Sequence, residues 1–260
     1  MKLKTTLFIL LFLFFATGTR AQHTFGITGG YGMSTSRLKP TQEMKGIWGR
    51  YNAGISWRHY GKQRFVGGFG IDLEFIQQGF SFAPNASTTD DKADYQYYTR
   101  KFNSVMLPIV WQPHAYIGHR VRIFVEAAAT FSYNFSSTYN NELKGVSGDY
   151  NFRVTRDNRW GYGLAGGGGV SVLVGRIELM ARVRYYFGFA DIVRNRNKYP
   201  NNNTDGAENP FYYTPMRSPT DNLSISIGVA YRFNKEGFDE WKIARPKREK
   251  IEQTFDYKTK

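Results

Sequence analysis

The chain has 260 residues, with 35 Lys and Arg against 21 Asp and Glu, a net charge of +14, and no cysteine. The missing thiols exclude disulfide stapling and a thiolate metal centre. A basic surplus of this size suits nucleic acid as well as an anionic membrane surface, and the first residues separate the two.

Lys2 and Lys4 precede an apolar run over 7–15, and Thr19-Arg20-Ala21 puts small residues at −3 and −1 of a cut before Gln22. This is the pattern of a secretory signal peptide over residues 1–21. The run is too short to span ~30 Å of hydrocarbon, which takes about 20 residues. An exported chain does not meet nucleic acid. Its charge is then directed at lipopolysaccharide and other negative glycans of an outer membrane.

Eight stretches follow in which bulky apolar residues occupy every second position, the period of a β-strand. They are predicted at 24–33, 47–60, 64–78, 103–112, 121–135, 159–174, 177–189 and 223–233. The first carries Phe25, Ile27, Tyr31 and Met33 on its apolar face. The second carries Ile47, Tyr51, Ile55 and Trp57, and the third Phe69, Ile71, Leu73 and Phe75. The last is the clearest: Leu223, Ile225, Ile227, Val229, Tyr231 and Phe233 share a face, with Ser224, Ser226, Gly228, Ala230 and Arg232 on the other. No Lys, Arg, Asp or Glu falls on the apolar face of any stretch. The opposite face carries Arg50, Arg58, Asp72, Glu74, Arg122, Glu126, Glu178, Arg182, Arg184 and Arg232. Both signs are present, so these residues can form a paired network inside a barrel. A soluble barrel has the same period with the faces reversed, and alternation alone does not exclude it.

The links alternate in length. Those near 61–63, 113–120 and 175–176 are short, whereas 34–46, 79–101, 136–158 and 190–222 are long and polar. Short periplasmic turns and long extracellular loops alternate in this way in outer-membrane barrels. The predicted organisation is therefore a signal peptide over 1–21, one barrel over 22–233 and a polar basic periplasmic tail over 234–260. The fold class is all-β: an eight-stranded antiparallel up-and-down transmembrane β-barrel with long extracellular loops.

Val105-Met106-Leu107-Pro108-Ile109-Val110-Trp111 and Val121-Arg122-Ile123-Phe124-Val125-Glu126-Ala127 resemble two consecutive strands of the PorT-type small outer-membrane barrels of Bacteroidota. Met106 stands where that family usually has an acid, and Gln112 where it has a Lys. The end of the barrel, with Gly228, Tyr231 and Phe233, is similar to the signal read by the barrel assembly machinery. The resemblance covers about the whole mature barrel. It implies architecture first, and for the founding member of the group a part in protein secretion.

Residues 161–166 match GxGxxG, but inside a strand, where glycine makes room rather than binding a dinucleotide. His23, His59, His114 and His119 all fall at the periplasmic end of this topology. A serine nucleophile needs a base within reach, so this placement argues against a lipid-modifying enzyme of the outer leaflet. His114 and His119 are too few to hold a metal alone. Asp205 and Glu208 lack EF-hand spacing. No cofactor or metal is expected, and no catalytic residue. The expected function is a non-enzymatic envelope protein, with a narrow ion-selective channel as the alternative. Partner contact is assigned to loop aromatics Tyr95, Tyr97, Tyr98, Tyr199, Phe211, Tyr212 and Tyr213, because aromatic tips anchor interfaces. The partners expected are outer-membrane lipid and lipopolysaccharide, the assembly machinery during biogenesis, and an envelope or secretion protein.

Overall fold

The computed structural model describes residues 22–60, 67–84, 95–118, 120–194, 210–211 and 215–233. The expected signal peptide and tail lie outside them. The strands are β1 (Gln22–Ser36), β2 (Glu43–Lys45), β3 (Ile47–Tyr60), β4 (Gly68–Ala83), β5 (Tyr98–Gln112), β6 (His114–Ile117), β7 (Val121–Asn141), β8 (Val146–Asp149), β9 (Trp160–Val174), β10 (Ile177–Asp191) and β11 (Pro219–Arg232). The eight long ones pair antiparallel in the order β1, β3, β4, β5, β7, β9, β10, β11. β11 then returns to β1, from Thr24↔Arg232 to Ser36↔Thr220. The sheet closes on itself as an eight-stranded antiparallel barrel, which removes the open edges of a flat sheet. The short strands add to its ends: β2 pairs with β4, and β6 and β8 with β7.

The outward face is apolar and the inward face polar. Ile27 is 65% exposed and Ile227 72%, whereas Asp72, Arg122, Glu178 and Arg184 are each 1% exposed. A soluble barrel would reverse these values. Aliphatic side chains left open around a whole girdle need hydrocarbon as their solvent, and closure pairs the backbone groups that would otherwise face lipid.

β4, β5 and β7 run further than the sequence pattern predicts, all towards the end that carries the long links. There the faces exchange character. Phe80, Phe82, Tyr98 and Phe102 point inward and are buried. Outward positions of β5 become Thr99, Lys101 and Asn103, in phase with Val105 below. This is the pattern of a strand in water, and it marks where the barrel stands clear of the membrane. β7 changes face by a bulge. Asn103 opposes Ser136 and Ser104 opposes Asn134, which leaves Phe135 as an extra residue. One added residue reverses every side chain above it, so Ser137 and Asn141 are buried while Thr138 and Asn140 are exposed. A second bulge lies at Gly49, between the pairs Gly32↔Arg50 and Met33↔Trp48, at φ +72. Glycine takes that conformation without steric penalty.

Candidate functional site

Six charged side chains meet across the middle of the lumen. β4 contributes Asp72 and Glu74, β7 Glu126, β3 Arg58, and β10 Arg182 and Arg184. Arg184 donates through Nη1 to Asp72 Oδ2 and to Glu74 Oε1, each at 3.0 Å, and through Nη2 to Glu126 Oε2 at 2.6 Å. Arg182 donates to Glu74 Oε1 at 2.9 Å and to Asp72 Oδ2 at 3.3 Å. Arg58 donates to both Asp72 carboxylate oxygens through its two terminal guanidinium nitrogens, Nη1 and Nη2. Three cations face three carboxylates, so the cluster is neutral as a unit. Buried charges that pair and hydrogen-bond in this way offset the cost of leaving water.

The strands are built to let these side chains meet. Gly167 of β9 lies between Arg184 on β10 and Glu126 on β7 in the register of the sheet. With no side chain there, the guanidinium reaches over β9 to the carboxylate. A Cβ at Gly167 would come within 2.2 Å of the Val183 carbonyl oxygen. Gly167, the residue after the GxGxxG segment, is therefore the floor under an ion pair, and the segment itself runs within β9 and is not a phosphate loop. Two uncharged residues complete the layer: Tyr186 donates its hydroxyl to Glu74 at 2.6 Å, and Gln112 donates to Glu126 at 3.1 Å. The sequence pattern does not single out either of them. They sit in phase with the inward charges, and that phase was the available signal.

A second layer lies towards the short turns. Arg122 pairs with Glu178, and the Arg122 guanidinium sits 4.4 Å above the Tyr60 ring. Tyr60 donates to Gln112 at 2.6 Å, which links this layer to the one above. His114, in the short turn-end strand β6, packs edge-on against Tyr60 at 5.2 Å. Burial, with the Arg122 cation nearby, holds its imidazole below the usual histidine range. Arg232 is buried at the same end.

The other end is closed by an apolar cap. Leu38, Phe80, Phe82, Tyr98, Phe102 and Ile192 form a buried cluster, with Met44, Tyr139, Phe152 and Phe211 packed against it. Asp157 ties the cap down. It accepts from Arg100 Nη1 at 3.2 Å, from the Tyr150 hydroxyl at 2.9 Å and from the Arg153 backbone N–H at 2.9 Å. Backbone bonds from Asn158 to Ile192 and from Arg194 to Arg156, each 2.7 Å, join the third long link to the fourth. Neither Arg100 nor Asp157 stands out in the sequence, because both lie beyond the predicted strand ends.

Two expected placements change. Tyr98 and Phe211, expected at exposed loop tips, belong to the cap: Tyr98 is 1% exposed, and Phe211 stacks on Phe82 at 5.0 Å. Their aromatic surface is used inside the molecule. Arg50, expected in the interior network, is only half-buried beside the Gly49 bulge, and its Nε lies 3.5 Å from the Trp48 carbonyl oxygen. Tyr95 and Tyr97 are half-buried at the long-link end, where the Tyr97 N–H donates to Glu142 at 2.7 Å. Tyr199, Tyr212 and Tyr213 lie outside the described residues. On β11, Gly228 faces inward, and Tyr231 and Phe233 face outward, the latter at the turn end. His23 and His59 are neighbours across β1 and β3 at that end, with rings 4.8 Å apart; His119 lies outside the described residues.

A family model described as outer membrane protein beta-barrel domain matches residues 18–194. No curated protein matches the chain. Several solved structures are similar in outline. The attachment invasion locus protein Ail of Yersinia pestis, solved with the heparin analogue sucrose octasulfate, is 15% identical over 81% of this chain and 99% of its own, with a TM-score of 0.34. Neisserial surface protein A is 10% identical over 82% and 99%, with a TM-score of 0.40. A major outer membrane protein from Thermus thermophilus is 11% identical over 82% and 99%, with a TM-score of 0.44.

Proposed function

Because the chain belongs to the outer membrane protein beta-barrel domain family and sits in the bacterial outer membrane, we propose that it is a non-enzymatic envelope component, anchored by its barrel and active through its long-link end. The observation that carries this reading is the filled lumen. The Arg58, Arg182 and Arg184 network spans the barrel from β10 to β4, and the cap of Phe80, Phe82 and Phe102 lies above it. A lumen used for structure leaves the loops and rims as the working surface. The described histidines His23, His59 and His114 lie at the turn end, away from that surface.

In this reading the four long links face the outside. Tyr95 and Tyr97, together with Tyr199, Tyr212 and Tyr213, supply aromatic contact to an envelope partner. The resemblance of 105–111 and 121–127 to PorT-type barrels favours protein secretion or surface assembly as the setting. The basic surplus favours lipopolysaccharide around the barrel. Gly228, Tyr231 and Phe233 serve the assembly machinery.

The test is co-purification of the tagged full chain from its native membranes in mild detergent, with mass spectrometry of what accompanies it. The expected result is a stoichiometric envelope protein that is lost when Tyr95 and Tyr97 become Ala. A solitary barrel in repeated preparations would remove the reading.

A further inference from the structure

Strand register brings two histidines that are distant in sequence face to face. His23, near the start of β1, pairs directly with His59, near the end of β3. Both keep the outward phase of Phe25 and Trp57 and lie one step beyond them towards the turn end. Their ring centres are 4.8 Å apart, and both side chains are half-buried. Trp57 restrains the two rings: it stacks on His23 at 5.9 Å and leans on His59 at 6.4 Å. Neither imidazole makes a hydrogen bond to a described residue, whereas the His114 ring has the Gln112 carbonyl oxygen as its neighbour.

This spacing has a chemical meaning. Two imidazoles that hold one ion through in-plane lone pairs at about 2.0 Å place their ring centres about 4.4–5.2 Å apart, from a square to a tetrahedral angle at the metal. The His23 and His59 rings fall inside that range. Adjoining strands already fix both donors, so no loop has to be ordered when the ion enters. Among the described residues no third His, Cys, Asp or Glu joins them. A closed structural zinc centre takes four protein ligands. Two nitrogens with water in the other positions suit a tetragonal copper(II) ion, which also heads the affinity order of divalent metals.

We propose that His23 and His59 form an open copper(II) site that clips β1 to β3 at the rim of the barrel. The site goes beyond the functional reading above and does not depend on which end of the barrel faces outside.

The experiment is titration of the untagged, metal-free full chain in mild detergent with copper(II) and, separately, zinc(II) near neutral pH. Tryptophan fluorescence and electron paramagnetic resonance of the copper complex are the readouts. One copper(II) is expected to bind with the spectrum of two histidine nitrogens, to quench Trp57, and to bind about tenfold or more tightly than zinc(II). His23→Gln and His59→Gln should each weaken copper binding by about tenfold or more and remove one nitrogen from the spectrum. His114→Gln should change neither. If a Gln variant does not fold, His23→Phe or His59→Phe keeps a ring against Trp57 and removes the ligand. The proposal is overturned by a copper spectrum without two histidine nitrogens, by unchanged affinity in a folded His23 or His59 variant, or by equal loss in His114→Gln.

Discussion

Arg184 bonds carboxylates from two strands at once, Asp72 and Glu74 on β4 and Glu126 on β7. Removing it leaves three buried carboxylates short of a partner. Truncating one member of a buried ion network typically costs about 3–5 kcal/mol, because the remaining charges keep their desolvation cost. Arg184→Ala is therefore expected to lower unfolding stability by about that amount, read as a shift of the urea midpoint in detergent at unchanged m-value. His114 gives a pH-dependent counterpart outside the membrane. Its folded pKa lies below the ordinary 6.5 because it is buried beside Arg122. Above pH 6.5 the imidazole is neutral in both states and contributes no pH dependence. As the pH falls through 6.5 the unfolded chain takes up a proton that the folded chain refuses, so stability falls until the folded pKa is reached. The His114 ring should titrate below 6.5 by NMR, and His114→Gln should flatten the stability profile across that window. A normal titration would remove the argument.

At the scale of the strand, glycine placement decides whether the network can assemble. Gly167→Val puts a branched side chain between Arg184 and Glu126 and against the Val183 carbonyl. It is expected to prevent the folded barrel, seen as loss of the fast-migrating unheated species on a gel. Gly166→Ala, at the neighbouring position and facing lipid, should fold normally. The strand scale also shows what the sequence made legible. The membrane-spanning part of each strand could be read because lipid demands an unbroken outward row such as Ile71, Leu73 and Phe75. The ends could not be read that way. From Tyr98 to Phe102 the outside is water while Tyr98 and Phe102 face in, so the same period continues with its faces exchanged, and from Phe80 to Ala83 both faces of β4 are covered. The Phe135 bulge hides the continuation of β7 further, since it resets which residues count as inward. Inward charges such as Asp72 and Arg182 were visible as departures from an apolar row. Tyr186 and Gln112 share their face but carry no charge, and Arg50 keeps the inward phase while the barrel mouth leaves it half in water.

For the whole molecule, the lumen is occupied by two kinds of chemistry, ion pairs at two heights, in the middle and towards the short turns, and aromatics above. Ions would have to pass both. The full chain in a planar bilayer is expected to carry no steady current. Phe80→Ala with Phe82→Ala thins the upper layer only and should leave it closed. Adding Arg184→Ala and Arg122→Ala breaks both ion-pair layers below it and should allow leakage. Steady current through the unaltered chain would instead support the narrow channel.

The cap also sets an order in time. Leu38 comes from the first long link, Phe82 and Tyr98 flank the second, Phe152 comes from the third, and Ile192 and Phe211 come from the fourth. That cluster cannot be completed until the fourth link is in place, just before β11 closes onto β1. Its contacts join distant parts of the chain and form late, so they stabilise the finished barrel more than the transition state that leads to it. Interactions of that kind slow unfolding rather than speed folding. The cap is a latch: it adds little to the rate of assembly and much to the lifetime of the anchored protein.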